Sequence, residues 1–435
     1  MRVPARESAG GTDRERGGWR RDAAGRVRPR DHGGMAMSPA ELNPHDPGRS
    51  DVEAEVCVVG GGPTALYAAL RCARAGRSVV LLSAKAEFEP AGTGISPLVA
   101  PPTLALLAAE GVEAELEEGG QRVLGVEDHG STGVLSAWRY ADHDGIDRPH
   151  GLTVPTGTLT QALLARLRAE PTADVRAGET VTAVEQDDHG VTATGTGARI
   201  RARYLIAADG RRSAVRDLVG IPVTESTFDR PAWLSVVPAV PDREPVLVVR
   251  HQAPRALFAI PTPRRTVAVV WSPDRDGEEP LDRGGSAVLA EQVKAVDPEL
   301  SDWLSEVADR TSPPVRLGFS LWRAASWRAG RVLLLGETAN GFHTLGGQGL
   351  NQSLQSAASS ARAVDDALRP GGIARIDDYE RVRRPYVELL QDTQWQVQAL
   401  RSYSTAPPER GAHQDFIGVM TRLQPELAEQ LARPA

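Results

Sequence analysis

Two glycine-rich turns, nearly three hundred residues apart, hold the sequence's clearest chemistry. The first, Gly60-Gly61-Gly62-Pro63-Thr64-Ala65, lies between the apolar run "EVCVV" and the helix-patterned "LYAALRCARAG". Its G-x-G-x-x-A spacing suits a dinucleotide: Gly60 permits the tight turn, Gly62 lets backbone approach a pyrophosphate, Ala65 is small enough for helix to lie close on strand, and the helix N-terminus faces the anion. The acidic residue expected ~20 positions on, to hold a ribose, is missing. Ser83 stands there instead, one hydroxyl in place of a bidentate carboxylate. The second turn, Gly346-Gly347-Gln348-Gly349-Leu350-Asn351, opens a long helix that also carries Gln352 and Ser353. Its free backbone N–H groups and positive helix end stabilise a nearby anion by roughly 0.3–2 kcal/mol.

Other chemistries find no support. The nine histidines show no H-x-x-x-H or H-E-x-x-H spacing, and neither a G-x-S-x-G turn nor a phosphate loop ending in Lys-Ser/Thr occurs. Metal catalysis and serine hydrolysis are therefore not expected. Cys57 and Cys72 fall in a predicted strand and helix, which gives no disulfide framework and points to a reducing, cytoplasmic interior. A net charge of -7 with 25% charged residues argues against nucleic acid. No apolar run approaches the ~18 residues of a membrane span. A small molecule is the expected partner; oligomeric state is not legible.

The elements needed to hold these turns follow from periodicity. Residues 1–50 are rich in Gly, Arg, Asp and Pro without apolar pattern, and read as a disordered tail; Met35 and Met37 are alternative starts. From residue 53 a βαβ opening is predicted, with Pro63 in the first helical turn, Leu66, Ala69, Leu70 and Ala73 on one face, and Gly76 as the stop. A helix is predicted over 152–169 and short strands over 174–206. The runs "AWLSVVPAV", "PVLVVRH", "ALFAIP" and "TVAVVWS" predict a separate sheet, in which Trp233, Arg250, His251, Phe258 and Trp271 are candidates for lining a substrate pocket. "GRVLLLG" then returns to a buried strand, and Leu350, Leu354, Ala357, Ala361, Val364 and Leu368 stripe a helix from Gln348.

Taken with "YLIAADGRRSAVRDLVGI" (Tyr204–Ile221) and "GRVLLLGETANGFHTLGGQGLN" (Gly330–Asn351), in order and spacing, the first turn makes residues 53–400 resemble the FAD-dependent aromatic hydroxylases, the group A flavoprotein monooxygenases. "RRPY" at Arg383–Tyr386 is similar to the same family's next helix. The resemblance implies an α/β, p-hydroxybenzoate hydroxylase-like fold: a Rossmann-like FAD-binding domain (51–222 and 315–400), an inserted mixed β-sheet substrate domain (223–314), and a C-terminal helical segment (401–435). It implies FAD at Gly60, Gly62, Ala65, Ser83, Asp209, Gly210, Glu337, Gly346, Gly347, Gln348, Gly349, Leu350 and Asn351, with NAD(P)H as transient donor and Ser213 and Arg216 completing the middle motif.

Against the family's pattern the third motif departs at single positions. Glu337 replaces an aspartate expected to accept from a ribityl hydroxyl, and Asn340 and Thr344 replace a histidine and a proline near the flavin ring. An arginine usual shortly before Gly92–Pro97 is absent, leaving Lys85 as the nearby cation, and Thr156 stands for an arginine beside the flavin. Three readings follow, the third being a non-catalytic binding relative on the same fold. In the first, the protein is an FAD-dependent monooxygenase that hydroxylates or epoxidises a small secondary metabolite with NAD(P)H and O2. In the second it is a non-redox cyclase, isomerase or pericyclase on the same fold, with FAD structural or lost. Glu337, Asn340, His343 and Thr344 are the candidate catalytic residues.

Overall fold

The computed structural model describes residues 50–401, apart from Thr132, 143–147, Asp229, Ala253, Leu345, Gly346 and 373–375, together with Arg20–Arg21 and Val27–Arg28, which pair antiparallel. The rest of the expected tail, both alternative starts and residues 402–435 of the expected C-terminal segment lie outside the described residues.

The βαβ opening forms as its pattern requires. Strand β1 (Ser50–Val59) is followed by α1 (Pro63–Arg74) and β2 (Val79–Ser83), and the two strands pair in parallel from Val56↔Val79 to Val59↔Leu82. Every residue of β2 is buried, as a strand covered on both faces must be. Helices α2 (Pro101–Ala109) and α3 (Glu113–Gly119) lead to β3 (Gly125–Gly130) and β4 (Gly133–Arg139). Helix α4 begins at Thr156 and runs to Ala169, four residues later than the periodicity predicts, because Gly151–Thr153 is taken up as a strand and Pro155 cannot supply a helical N–H.

Strands β5 (Ala173–Ala177), β6 (Ala183–Gln186), β7 (Val191–Thr194) and β8 (Ala198–Ala207) complete most of the first sheet, in the order β5-β2-β1-β8-β7-β6. Short helix α5 (Ala214–Leu218) follows β8. The second sheet uses β9 (Ala232–Pro238), β10 (Leu247–Gln252), β11 (Arg255–Thr262) and β12 (Thr266–Ser272); helices α6 (Arg275–Val293) and α7 (Pro298–Glu306) follow, then β13 (Val315–Leu317). Its order is β13-β9-β12-β11-β10-β3-β4. The chain then returns through β14 (Val332–Leu334), parallel to the C-terminal end of β8, into α8 (Gln348–Leu368) and α9 (Asp378–Arg401).

Two corrections to the domain division come from strand pairing. β3 and β4 precede residue 223, yet they belong to the second sheet, where β3 pairs in parallel with β10 from Leu247↔Val126 to Arg250↔His129. β13, placed after the inserted domain by the boundary at 315, pairs with β9. The second sheet is therefore assembled from three chain segments, and a hydrophobic pattern read along the chain carries no information about partners so distant in sequence. Two cores result. One packs β1, β2, β8 and β14 between α1, α4 and α8; the other packs one face of the second sheet against α6 and α7.

Candidate active site

A cavity of about 1810 Å³ runs between the glycine turns and the open face of the second sheet. A single drug-sized ligand occupies a pocket of roughly 300–1,000 Å³, so this volume has room for a cofactor and a substrate together.

At the first turn the glycines divide into two kinds. A Cβ on Gly60, whose φ is +141°, would stand 2.3 Å from the Ala208 carbonyl oxygen, and one on Gly61 would stand 2.3 Å from Ser83 Oγ. These two positions must be glycine for the turn to close against the sheet. Gly62 has nothing within 4 Å of its would-be Cβ, and it caps α1 without any side-chain hydrogen bond. Ala65 is buried, and its Cβ lies 3.0 Å from the would-be Cβ of Gly60, so it serves the close packing of α1 and not the cavity wall. Ser83 is buried at the wall, where its Oγ accepts from the Lys85 N–H at 3.2 Å.

The second turn repeats the arrangement. Gly347 adopts φ +62° and caps α8 with no side-chain hydrogen bond, while Gly349 has open space where a Cβ would be. Gly347, Gln348, Gly349, Leu350 and Asn351 all border the cavity, and Gly346 lies outside the described residues. Asn351 spends its amide on protein backbone: Nδ2 donates to Leu98 O and Gly347 O, each at 2.8 Å, and Oδ1 accepts from the Ala100 N–H at 2.9 Å. Two uncapped helix N-termini, those of α1 and α8, thus open into one cavity. Their unpaired N–H groups and positive ends need an anionic or acceptor-rich occupant.

Between the two turns, Asp209 and Gly210 complete the wall. Asp209 accepts from the Ser213 hydroxyl at 2.6 Å and the Val215 N–H at 3.1 Å, so it braces the first turn of α5, which Ser213 caps, while bordering the cavity. Gly210, at φ +87°, again has nothing near its would-be Cβ. Thr338 ties this turn to the late motif: its Oγ1 accepts from the Gly210 N–H at 3.0 Å and donates to Asp209 Oδ1 at 3.2 Å, and its carbonyl accepts from Arg216 at 3.1 Å. Thr338 stands in the late motif that the sequence singles out, but these bonds could not be read there, because its partners are over a hundred residues away.

Of the candidate catalytic residues, Glu337, His343 and Thr344 border the cavity. Glu337 opens into it with protein around its other sides; that burial raises its carboxyl above the usual range, with Arg211 partly offsetting the shift. His343 is held through its backbone, donating to and accepting from Gln394, and its ring packs edge-on to Phe228 at 4.8 Å and against Phe319 at 4.3 Å. Asn340 is a correction. It is buried on a two-residue strand paired with Ser320–Ala324, is not part of the cavity wall, and its Nδ2 has no hydrogen-bond partner among the described residues. Cys57 and Cys72 are buried thiols pushed up to about 12, which removes them as nucleophiles.

The sheet supplies the opposite wall by strict alternation. Leu234, Val270, Phe258, Val249, Val126 and Trp138, one from each of β9, β12, β11, β10, β3 and β4, face the cavity. Period two sends their neighbours to the other face, and this corrects three candidates. Trp233 and Trp271 are fully buried against α6 and α7, with indole N–H groups donating to Asp282 and Gln292; Arg250 bonds Asp297 on that same side. Phe258 borders the cavity; His251 does not, and its Nε2 lies 2.9 Å from Asp128. Sequence reasoning missed Asp128 and Arg264 as wall residues. Arg264 reaches the loop at Gly92 from the β11–β12 turn, and it borders the cavity with Lys85, Arg148 and Arg230.

The glycine cradles that a Cβ would fill and the paired helix N-termini fit FAD. Gly62 and the α1 N–H groups would hold its diphosphate, and Gly347–Gly349 with the α8 N-terminus would meet the flavin ring. The fold and this site define a flavoprotein built on two sheets. Residues 53–394 match the FAD binding domain family model, and the chain belongs to that family. It is 65% identical over 397 residues to protoasukamycin 4-monooxygenase of Streptomyces nodosus subsp. asukaensis, covering 89% of this chain and 97% of that protein. It is 31% identical to ubiquinone hydroxylase UbiL of Rhodospirillum rubrum, over 78% of this chain and 79% of the relative. Its fold is that of p-nitrophenol 4-monooxygenase PnpA from Pseudomonas putida, with TM-score 0.71 at 23% identity, covering 88% of this chain and 97% of PnpA. The protein is an FAD-dependent monooxygenase of the p-hydroxybenzoate hydroxylase-like fold, with FAD as cofactor; the redox reading is the one its relatives bear out.

Proposed function

We propose that the substrate is protoasukamycin or a molecule close to it, and that the protein inserts one atom of O2 into it in the cytoplasm. The supporting observation is the cavity's division: one end is lined by glycine turns and helix N-termini, the other by an apolar sheet face. FAD supplies the redox chemistry when bound. The chain's own part is to hold and to shield. The α1 and α8 ends offer N–H groups to negative charge, the sheet residues exclude water and orient the substrate, and Glu337, His343 and Thr344 stand where the two ends meet the late motif.

The relation to protoasukamycin 4-monooxygenase supports the substrate, since 65% identity spans nearly the whole of that relative. No described helix is long and apolar enough to cross a membrane, which is compatible with the cytoplasmic placement. The test is incubation of the purified protein with FAD, NAD(P)H, protoasukamycin and isotopically heavy oxygen. Product carrying one heavy oxygen atom is expected; NAD(P)H consumption without labelled product would overturn the substrate assignment.

A further inference from the structure

The cavity face of the second sheet is mostly apolar, with hydroxyls at Thr262, Thr266 and Ser272, and it carries one carboxylate, at the β3 edge. Asp128, on β3, is only 1% exposed, yet it borders the cavity, and His251 Nε2 on β10 lies 2.9 Å from its Oδ1. The alternation that brings Val126 and Val249 to the wall brings Asp128 and His251 to the same side of the sheet. Across the β3–β4 ladder Asp128 faces Ser136, whose buried hydroxyl has no hydrogen-bond partner among the described residues. Asp128 is the carboxylate that the second sheet contributes to the wall; Glu179, Asp209 and Glu337 come from the first sheet and the late motif.

Burying a carboxylate is costly unless partners are supplied, and one that also borders a cavity can accept from a donor placed there. We propose that Asp128, backed by His251 and flanked by Ser136, is a substrate-anchoring residue. It accepts a hydrogen bond from an O–H or N–H group of a neutral substrate and excludes carboxylate-bearing analogues. Four strand spacings separate β3 from β9 in the sheet order, about 19 Å at the usual spacing. A substrate anchored at Asp128 therefore has the width of an apolar floor to lie across, which suits an elongated molecule with its donor near one end. The inference rests on the monooxygenase reading only in assigning this end of the cavity to the substrate.

The test uses the FAD-loaded protein and three probes of one shape, naphthol, its methyl ether and naphthoate, with dissociation constants from calorimetry. Wild type should bind naphthol about tenfold or more tighter than the ether, as a hydrogen bond to a charged acceptor implies, and naphthoate weakest of the three. Asp128→Ala should close the gap between naphthol and ether and tighten naphthoate. Asp128→Asn, which keeps an acceptor oxygen but not the charge, should preserve part of the first gap and relieve the rejection of naphthoate. Glu127→Gln, on the opposite face of the same strand, serves as control. Equal binding of naphthol and ether by wild type overturns the proposal without recourse to any variant, as does an Asp128→Ala protein that keeps the gap. His251→Gln gives a second test should the Asp128 variants not fold: a gap as wide as wild type removes His251 from the anchor. Failure to oxygenate protoasukamycin alongside an intact probe pattern counts against the substrate assignment alone.

Discussion

Asn351, in the first turn of α8, is bonded through both ends of its amide to the backbone on either side of Val99: its Nδ2 donates to Leu98 O and its Oδ1 accepts from the Ala100 N–H. One side chain thereby fixes the N-terminus of α8 against the segment entering α2. Replacing it with alanine strands both backbone groups, at a cost of about 1–3 kcal/mol. Asn351→Ala should melt at a lower temperature in calorimetry of the FAD-free protein, and Asn351→Asp, which keeps only the acceptor, should fall between it and wild type. A variant with an unchanged midpoint would show that the fastening contributes nothing.

The two ends of the first glycine turn should respond oppositely to a side chain. Gly60→Ala meets both a φ of +141° and the Ala208 carbonyl, so it should lower stability by more than about 1 kcal/mol. Gly62 has φ -95° and open space, so Gly62→Val should leave the FAD-free protein as stable as wild type. Its side chain would occupy the helix end proposed for the diphosphate, and FAD titration should show affinity down about tenfold or more. Unimpaired FAD binding in Gly62→Val would move the diphosphate elsewhere.

Glu337 makes stability depend on pH in a defined direction. Its side chain is exposed to the cavity, but the protein packed around the carboxyl raises it above the usual range, with Arg211 partly offsetting, so folding favours the protonated form. The favourable contribution is fully present below the unfolded carboxyl value and is lost as pH rises through the folded one. Glu337→Gln cannot ionise and should be more stable than wild type at neutral pH, with the difference vanishing in acid. Denaturant unfolding of the FAD-free pair across pH tests this; a difference that grows toward acid reverses the assignment.

What the sequence disclosed, and what it withheld, divides along contact order. The βαβ opening, α8 from Gln348 and both glycine turns rest on local spacing, and residues within one turn or helix carry that signal themselves. The recruitment of β3 and β4 into the second sheet depends on a pairing more than a hundred residues away, and so did the wall position of Asp128. The bonds that tie Thr338 to Asp209 and Gly210 were hidden for the same reason. The tryptophans were misplaced by a different ambiguity: alternation says that Trp233 and Phe258 each face one side of a strand, but not which side α6 and α7 cover.

That ambiguity, resolved by the structure, gives a paired prediction. Trp271 is 1% exposed between the second sheet and α6, where its indole N–H donates to Gln292 Oε1 at 2.9 Å. Trp271→Ala opens a cavity in a packed core and should cost about 3–5 kcal/mol, read as a lower denaturant midpoint. Phe258, two strand positions from neighbours of the same parity at Ala256 and Ile260, is half-buried and faces the cavity. Its truncation removes apolar surface from the wall and little from the core, so Phe258→Ala should unfold close to wild type while KM for the substrate rises roughly tenfold. The assignment of faces is rejected if the effects are exchanged, with Trp271→Ala raising KM at unchanged stability and Phe258→Ala destabilising the fold.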